Sequence, residues 1–325
     1  MQLDAPGERL HMVERALPEP GPGEVRIAIS ACGVCRTDLH IADGDIHGTL
    51  PIVPGHEIIG RVEQLGAGVT DIAIGERVGV PWLGHSCGTC PYCQSQRENL
   101  CDDPGFTGFT RDGGFASHCV AEARYCFPVP EAFDDVHAAP LLCAGLIGYR
   151  AYRMAGDAPT IGLFGFGAAA HILTQIAIFQ GRRVFAFTRE GDAQSQHFAR
   201  KIGCEWAGAS SAPPPTQLDA AILFAPVGDL VPRALKAVKK GGTVICAGIH
   251  MSDIPAFPYA DLWEERRIQS VANLTRKDGV EFLPLAAEAG VTTHVTAMPL
   301  AEANAALDRL RSGAVDGAIV LTMDG

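Results

Sequence analysis

The apolar positions divide the chain into two textures. Up to about residue 130 it reads as short strands broken by glycine and proline. EVRIAIS (24–30), HEIIGRVEQLG (56–66) and GERVGVPW (75–82) alternate or run apolar between turn signals, and GGFASHCVAEARYCFPVP (113–130) continues in that style. Over 134–156, DDVHAAPLLCAGLIGYRAYRMAG, the period lengthens towards 3.6 and predicts one helix. Strand and helix then alternate. TIGLFGFG (160–167) is an apolar strand ending in glycines, AAAHILTQIAIFQG (168–181) a helix and RRVFAFT (182–188) a second strand. LDAAILFAPV (218–227) and GGTVICAGI (241–249) predict further strands, with a helix-like VPRALKAVKK (231–240) between them and SSAPPPTQ (210–217) as loop. The tail from residue 300 reads as helix, turn and final strand. The fold class is therefore α/β, a β-rich domain followed by a doubly wound βαβ domain, with the last stretch returning to the first.

Length supports that division, because 325 residues exceed what one core usually serves. With 47% hydrophobic and 19% charged residues the composition is that of an ordinary globular protein. No apolar run reaches the roughly 18 residues of a spanning helix, and the opening MQLDAPGERL has neither the basic nor the apolar region of a signal peptide. A formal net charge of −11 opposes a broad basic face, so neither nucleic acid nor membrane is expected as a partner. Eleven cysteines, an odd and dilute number, predict reduced thiols in a cytoplasmic protein instead of a disulfide scaffold.

Four of them are concentrated. Cys87, Cys90, Cys93 and Cys101 are spaced C-x2-C-x2-C-x7-C, with Gly88 and Pro91 permitting tight turns. The short loops turn successive thiolates onto one point, and the longer excursion returns the fourth from another side, which suits a closed tetrahedral zinc site. An iron–sulfur cluster is the nearest rival. A disulfide pair would leave two thiols idle, and a redox motif needs only one C-x-x-C in a βαβ setting. Such a closed site does no chemistry, so catalysis must lie elsewhere.

Three further segments carry metal-ligand types: CGVCRTDLH (32–40), GHE (55–57) and Cys143 in PLLCAGL. Each alone reads as ordinary packing or a satisfied polar group. Together they offer two thiolates and one imidazole, a set suited to zinc with an open fourth position. GHEIIGRVEQLGAGV (55–69) resembles the zinc alcohol dehydrogenase signature, ACGVCRTDLH its first ligand segment, the four-cysteine run its structural-zinc lobe and CAGLIGYRA its third ligand. The resemblance, to the zinc-dependent branch of the medium-chain dehydrogenases, covers nearly the whole chain. It implies a GroES-like catalytic domain over 1–140 with the structural-zinc lobe, a Rossmann domain over 141–272 and a C-terminal segment, 273–325, returning to the catalytic domain. It also implies two zinc ions per subunit and a homodimer or homotetramer. Cys35, His56 and Cys143 would bind the catalytic zinc, Glu57 would approach it during ligand exchange, and Asp38 would fix the His56 tautomer. Thr37 and His40 would form a proton relay. Each has a plainer reading: Asp38 as a helix cap, His40 as a surface residue.

Gly165-Phe166-Gly167-Ala168-Ala169-Ala170 lies between strand and helix as G-x-G-x-x-A. The first glycine makes the turn, the second admits a pyrophosphate, and Ala170 permits close packing of helix on strand. The helix N-terminus, with Ala168 and Ala169, would face the phosphates. By resemblance Arg36, Ala247 and Gly248 join the cofactor contacts. Where an NAD site usually ends its second strand in a carboxylate, this chain has Thr188 and then Arg189. An arginine there can grip a 2′-phosphate, so Thr188 and Arg189 join the expected cofactor contacts and the cofactor, NAD(P)(H), leans to NADP(H). Glu190 pulls the other way, and Ala318 stands where the related pattern often has a pyrophosphate-binding arginine.

The resemblance implies hydride transfer between an alcohol and the nicotinamide, with zinc as Lewis acid. Trp82, five positions before Cys87, would narrow the alcohol pocket and favour slim primary alcohols and aldehydes, with Leu83 or Ile46 completing an apolar wall. Core packing beneath the zinc lobe explains Trp82 equally well. The alternatives are a zinc-free quinone reductase, a polyol or glutathione-adduct dehydrogenase, and a non-catalytic zinc module for binding a partner. The last leaves the glycine turn unexplained.

Overall fold

The computed structural model describes residues 1–313, 315 and 317–323. The chain forms two compact units. One comprises Met1–Leu146, Asn273–Ala287 and Thr292–Gly325, the other Ile147–Ala272 and Glu288–Val291.

The spine of the first unit is strand Glu24–Val34. Val25, Ile27 and Ile29 alternate inward along its first half, and from Ala31 to Val34 every residue is buried. It pairs antiparallel with three strands: Glu57–Leu65, His118–Glu122 and the C-terminal Ala318–Thr322. The last pairing brings the tail back to the first unit. The sheet runs Val295–Pro299, Ala318–Thr322, Glu24–Val34, Glu57–Leu65, Arg77–Val80, Phe127–Pro128, with His118–Glu122 joined to the spine. Its core includes Ile27, Ile58, Val78, Phe115 and Ile319, all fully buried, each contributing about 1.5–3 kcal/mol. Part of the turn expected before the final strand falls on Ala314 and Asp316, which lie outside the described residues.

The second unit holds six parallel strands in the order Trp206–Ala209, Arg183–Thr188, Thr160–Phe164, Leu218–Leu223, Val238–Cys246, Arg267–Ser270. In chain order this is 3-2-1-4-5-6, the doubly wound arrangement with its reversal beside the first strand. Thr160–Phe164 is buried at every position, as expected of a parallel strand covered on both faces.

Several local expectations need correction. The single helix over 134–156 is three pieces: helix Asp135–Ala138, a 3-10 turn Ala139–Leu142 and helix Ala144–Met154. Pro140 has no N–H to continue the ladder, and Cys143 drops out of helical conformation at φ −120°, ψ −73°. The 113–130 stretch is strand only at His118–Glu122 and Phe127–Pro128, with a 3-10 turn between. The helix over 231–240 ends at Ala237, and Val238 already belongs to the next strand. Helices Arg36–Asp43, Ala193–Lys201 and Arg276–Glu288 were not among the expected elements, although the last buries Gly279, Phe282, Leu283 and Ala286 on one face.

Candidate active site

The sulfurs of Cys35 and Cys143, one ring nitrogen of His56 and a carboxylate oxygen of Glu57 all lie within 4.8 Å of one another. The two sulfurs are 3.8 Å apart. Cys35 is the cap of helix Arg36–Asp43, His56 immediately precedes strand Glu57–Leu65, and Cys143 occupies the break between the 3-10 turn and helix Ala144–Met154. A cysteine inside a regular helix would aim its sulfur along that helix's own stripe. The break at Pro140–Cys143 frees it.

Asp38, 1% exposed, ties these pieces together. One carboxylate oxygen accepts the Cys35 N–H at 2.8 Å, completing a capping box in which Cys35 Sγ accepts the Thr37 N–H at 3.3 Å. The other accepts the Gly55 N–H at 3.2 Å and faces His56 Nδ1 at 3.3 Å. Asp38 is thus both helix cap and neighbour of the imidazole, and the two readings of it do not compete.

Glycine makes room for the cluster. Gly33 is the cross-strand partner of Glu57, and a Cβ there would sit 1.8 Å from Glu57 Oε2. Gly55 has φ +96°, and a Cβ on Gly108 or Gly113 would meet its backbone at 2.8 Å or 2.1 Å. Larger residues would push the GHE turn off the sheet.

The electrostatics are those of a site built for a cation. The hydrogen bond from Cys143 holds the Cys35 thiol well below its ordinary range, outweighing burial and helped by His56. The same contact, with burial, pushes Cys143 well up. Burial would lower His56, but Cys35 and Asp38 hold it well above its usual value. Burial, followed by the Cys35 charge, raises Glu57. Like charges crowd one buried spot, and a divalent cation relieves this at once.

The second cluster, Cys87, Cys90, Cys93 and Cys101, also has its four sulfurs within 4.8 Å. Backbone N–H groups of Thr89 and Cys90 point at Cys87 Sγ from 3.5 and 3.3 Å and lower its pKa to about 6. The Cys93 N–H does the same for Cys90, while desolvation pushes Cys93 to about 12. Four sulfurs, converging amides and no other chemistry fit a tetrathiolate ion.

Around the first cluster, Trp82 meets His56 edge to face, with centroids 5.1 Å apart at 79°. Trp82 also stacks on Phe106 and Phe109 at 5.1 and 5.5 Å. Neither phenylalanine was singled out from the sequence; the spacing GFTGF after Cys101 was the available signal. Leu83 is fully buried and pairs with Phe106 in a short two-stranded antiparallel sheet, so it supports the wall without offering surface to a ligand. Ile46 is half-buried and lines a 60 Å³ cavity with Phe109. Thr37 is buried, and His40 Nδ1 faces Asp45 at 2.8 Å. Arg36 is exposed at the first position of its helix.

In the second unit, Gly165 has φ +89°, and a Cβ there would lie 2.7 Å from the Ala225 nitrogen. A Cβ on Gly167 would meet nothing within 4 Å, which leaves open approach to the N-terminus of the helix beginning at Ala168 and Ala169. That cradle fits a pyrophosphate. Ala247 and Gly248 follow Val238–Cys246, with the Ala247 N–H donating to Leu223 O at 2.8 Å and Gly248 close against Pro226. Thr188 corrects an expectation. It is 3% exposed, and its hydroxyl donates to backbone carbonyls and accepts from Gln196 Nε2 at 3.0 Å, so it packs the strand end instead of facing a ribose. Arg189 beside it is exposed, and the Glu190 carboxylate accepts the Ser211 hydroxyl.

Two thiolates and an imidazole on a β-rich unit, a tetrathiolate lobe and a 3-2-1-4-5-6 sheet with a G-x-G turn together define a zinc-type dehydrogenase. Known proteins agree. Residues 21–131 match the alcohol dehydrogenase GroES-like domain. The chain is 42% identical over 322 residues to the probable alcohol dehydrogenase AdhA of Mycobacterium tuberculosis, covering 96% of this chain and 92% of that one. It is 34% identical over 327 residues to an alcohol dehydrogenase of Geobacillus stearothermophilus, covering 97% and 96%. A cinnamyl alcohol dehydrogenase structure from Sorghum bicolor matches with TM-score 0.86 at 27% identity, over 96% of this chain and 93% of that one. The chain belongs to the zinc-type medium-chain alcohol dehydrogenase family, and it is an NAD(P)-dependent oxidoreductase acting on alcohols. No helix among the described residues is long and apolar enough to cross a membrane.

Proposed function

We propose that the protein interconverts small primary alcohols and their aldehydes, using one zinc ion at Cys35, His56 and Cys143 and a second at Cys87, Cys90, Cys93 and Cys101. The convergence of three donors on one buried point, with Asp38 behind the imidazole, carries this reading. Bound there, zinc supplies Lewis acidity towards the substrate oxygen, and the nicotinamide accepts or returns the hydride. The residues do the rest. Asp38 stands 3.3 Å from His56 Nδ1 and would hold the proton on that nitrogen, which leaves Nε2 to the metal. Glu57, held over Gly33, stands close enough to take a ligand position in exchange. Thr37 Oγ1 would accept the substrate proton while giving up its own hydroxyl proton to the cofactor ribose, and His40, whose Nδ1 faces Asp45, would carry that proton on to solvent. Trp82, Phe106 and Phe109 exclude water and limit substrate width.

For the cofactor, exposed Arg189 and the engagement of Glu190 by Ser211 favour NADP(H), with Gly165, Gly167, Ala168 and Ala169 on the pyrophosphate and Ala247 and Gly248 completing its surroundings. Eleven unpaired thiols suit a reducing, cytoplasmic compartment. The assembly is a homodimer or homotetramer, as the family resemblance implies. A second reading, aryl alcohols as substrates, is favoured by the three-ring wall and by the cinnamyl alcohol dehydrogenase among the structural relatives.

The test is a pair of initial-rate series on zinc-loaded protein, NADPH and NADH, against one panel of aliphatic and aromatic aldehydes. NADPH preference with propanal and butanal is the expected result. Preference for NADH would overturn the cofactor assignment, and cinnamaldehyde as best substrate would establish the second reading.

A further inference from the structure

We propose that Phe109 is the specificity-determining residue of the alcohol site, a partition between the Trp82 wall and the 60 Å³ cavity, and that Gly48 exists to seat it. The inference rests on the reading of Cys35, His56 and Cys143 as the reacting centre.

Trp82 reaches that centre through its edge contact with His56. Phe109 stacks on Trp82 from one side and lines the cavity with the other, alongside Pro6, Ile41, Ile46 and Leu50. Two backbone devices fix its loop. Gly108, at φ +74°, lies so close to Gly55 that a Cβ would meet the Gly55 nitrogen at 2.8 Å, which ties the loop to the turn carrying His56. The Thr107 N–H donates to Trp82 O at 2.9 Å, and the Thr49 N–H to Phe109 O at 3.2 Å. On the cavity side, a Cβ on Gly48 would stand 2.4 Å from the Phe109 ring and 2.7 Å from its carbonyl oxygen. The ring therefore occupies a space that only glycine at 48 leaves open.

The cavity is too small for an aryl group. At 60 Å³ it falls well below the ~150 Å³ that admits benzene in an engineered apolar cavity. Phe109 covers one face of Trp82 and closes the cavity from that side. Removing the ring would join the cavity to the face of Trp82 that Phe109 now covers, and the enlarged site would take an aromatic ring. Phe109 thereby decides between the two substrate classes considered above.

The experiment compares wild type, Phe109→Ala and Phe109→Leu, all zinc-loaded, with 1-propanol and benzyl alcohol. The expected result is a rise of at least tenfold in the benzyl-to-propyl ratio of kcat/KM for Phe109→Ala, carried mainly by KM for benzyl alcohol. A smaller rise in the same direction is expected for Phe109→Leu. Equilibrium titration with benzyl alcohol, followed by tryptophan emission, should show a matching fall in Kd. Ratios within twofold of wild type in whichever variants fold, with unchanged Kd, would overturn the proposal. Wild-type protein that oxidises neither alcohol would instead refute the reading of the centre.

Discussion

Replacing Asp38 by asparagine removes one charge and almost no volume, and its consequences can be worked from the contacts. The carboxylate accepts two backbone N–H groups, Cys35 at 2.8 Å and Gly55 at 3.2 Å, and stands 3.3 Å from His56 Nδ1. An asparagine has one acceptor oxygen and one donor NH2. If the oxygen turns to Gly55 and His56, the NH2 confronts the Cys35 N–H and the capping box is lost. If it turns to Cys35, two donors behind the imidazole are left facing a donor. Asp38 is 1% exposed, so water cannot repair either arrangement, and each unsatisfied donor costs about 1–3 kcal/mol. Because the same change loosens the orientation of His56, zinc affinity at Cys35, His56 and Cys143 should fall ~10–100-fold, about 1.4–2.8 kcal/mol. Chelator competition measures this directly, with Cys143→Ser marking which of the bound equivalents belongs to this site. Two equivalents held as tightly as in wild type would show that Asp38 is a helix cap only, and the tautomer argument would be wrong.

Cys143→Ser and Cys87→Ser should each cost about one zinc equivalent but differ in effect. The first should lower kcat at least a thousandfold with little change in Tm, the second should lower Tm and protease resistance first, and identical profiles would contradict the separation of roles. Arg189→Ala should reduce the NADPH-over-NADH ratio of kcat/KM by ~10–100-fold, in line with about 1.5–3 kcal/mol for hydrogen bonds to a charged group; an unchanged ratio removes Arg189 from the phosphate site. Gly165→Ala imposes a left-handed φ of +89° on a side chain and a contact at 2.7 Å with Ala225. Cofactor Kd by fluorescence titration should rise at least tenfold, and an unchanged Kd would mean the turn has more latitude than its geometry indicates.

What was legible in the sequence follows the reach of each signal. The tetrathiolate cluster was readable because C-x2-C-x2-C-x7-C is local, and the loops that separate the thiols also fold them together. The parallel sheet was readable because its strands are continuously apolar, as Thr160–Phe164 shows. Helix Arg36–Asp43 was harder: three of its eight residues are charged, and its structural reason is the cap at Cys35. The break at Cys143 was hidden because an apolar stripe with period 3.6 looks the same whether or not Pro140 interrupts its hydrogen bonds. What the Thr188 hydroxyl touches was not readable, since position along a strand fixes where a residue sits but not which partners its hydroxyl finds. The roles of Phe106, Phe109 and Gly48 were hidden for the same reason, although the spacing GFTGF marks the first two. Their meaning lies in meeting one another across about 60 positions, and no local pattern records that.

The same buried groups that define the site also burden the fold. Cys35, His56, Glu57 and Asp38 bring titratable groups together beneath a β-sheet, where isolated charge is expensive unless paired. The protein meets part of this cost itself. Asp38 is satisfied by two backbone N–H groups, and the Cys35–Cys143 contact lets one thiol hold its proton while the other gives it up. What remains is a set of donors, two sulfurs, an imidazole nitrogen and a carboxylate oxygen, crowded on one point, with Arg36 at the solvent-facing start of its helix and outside the cluster. A lysine or arginine placed among these donors would fill the position that the proposed reading gives to the substrate oxygen. A divalent ion would bind them from a single point, keep a coordination position open and leave Glu57 free to exchange. On the proposed reading the ion at Cys35, His56 and Cys143 serves catalysis, and glycine at 33, 55, 108 and 113 lets the backbone crowd closely around those donors.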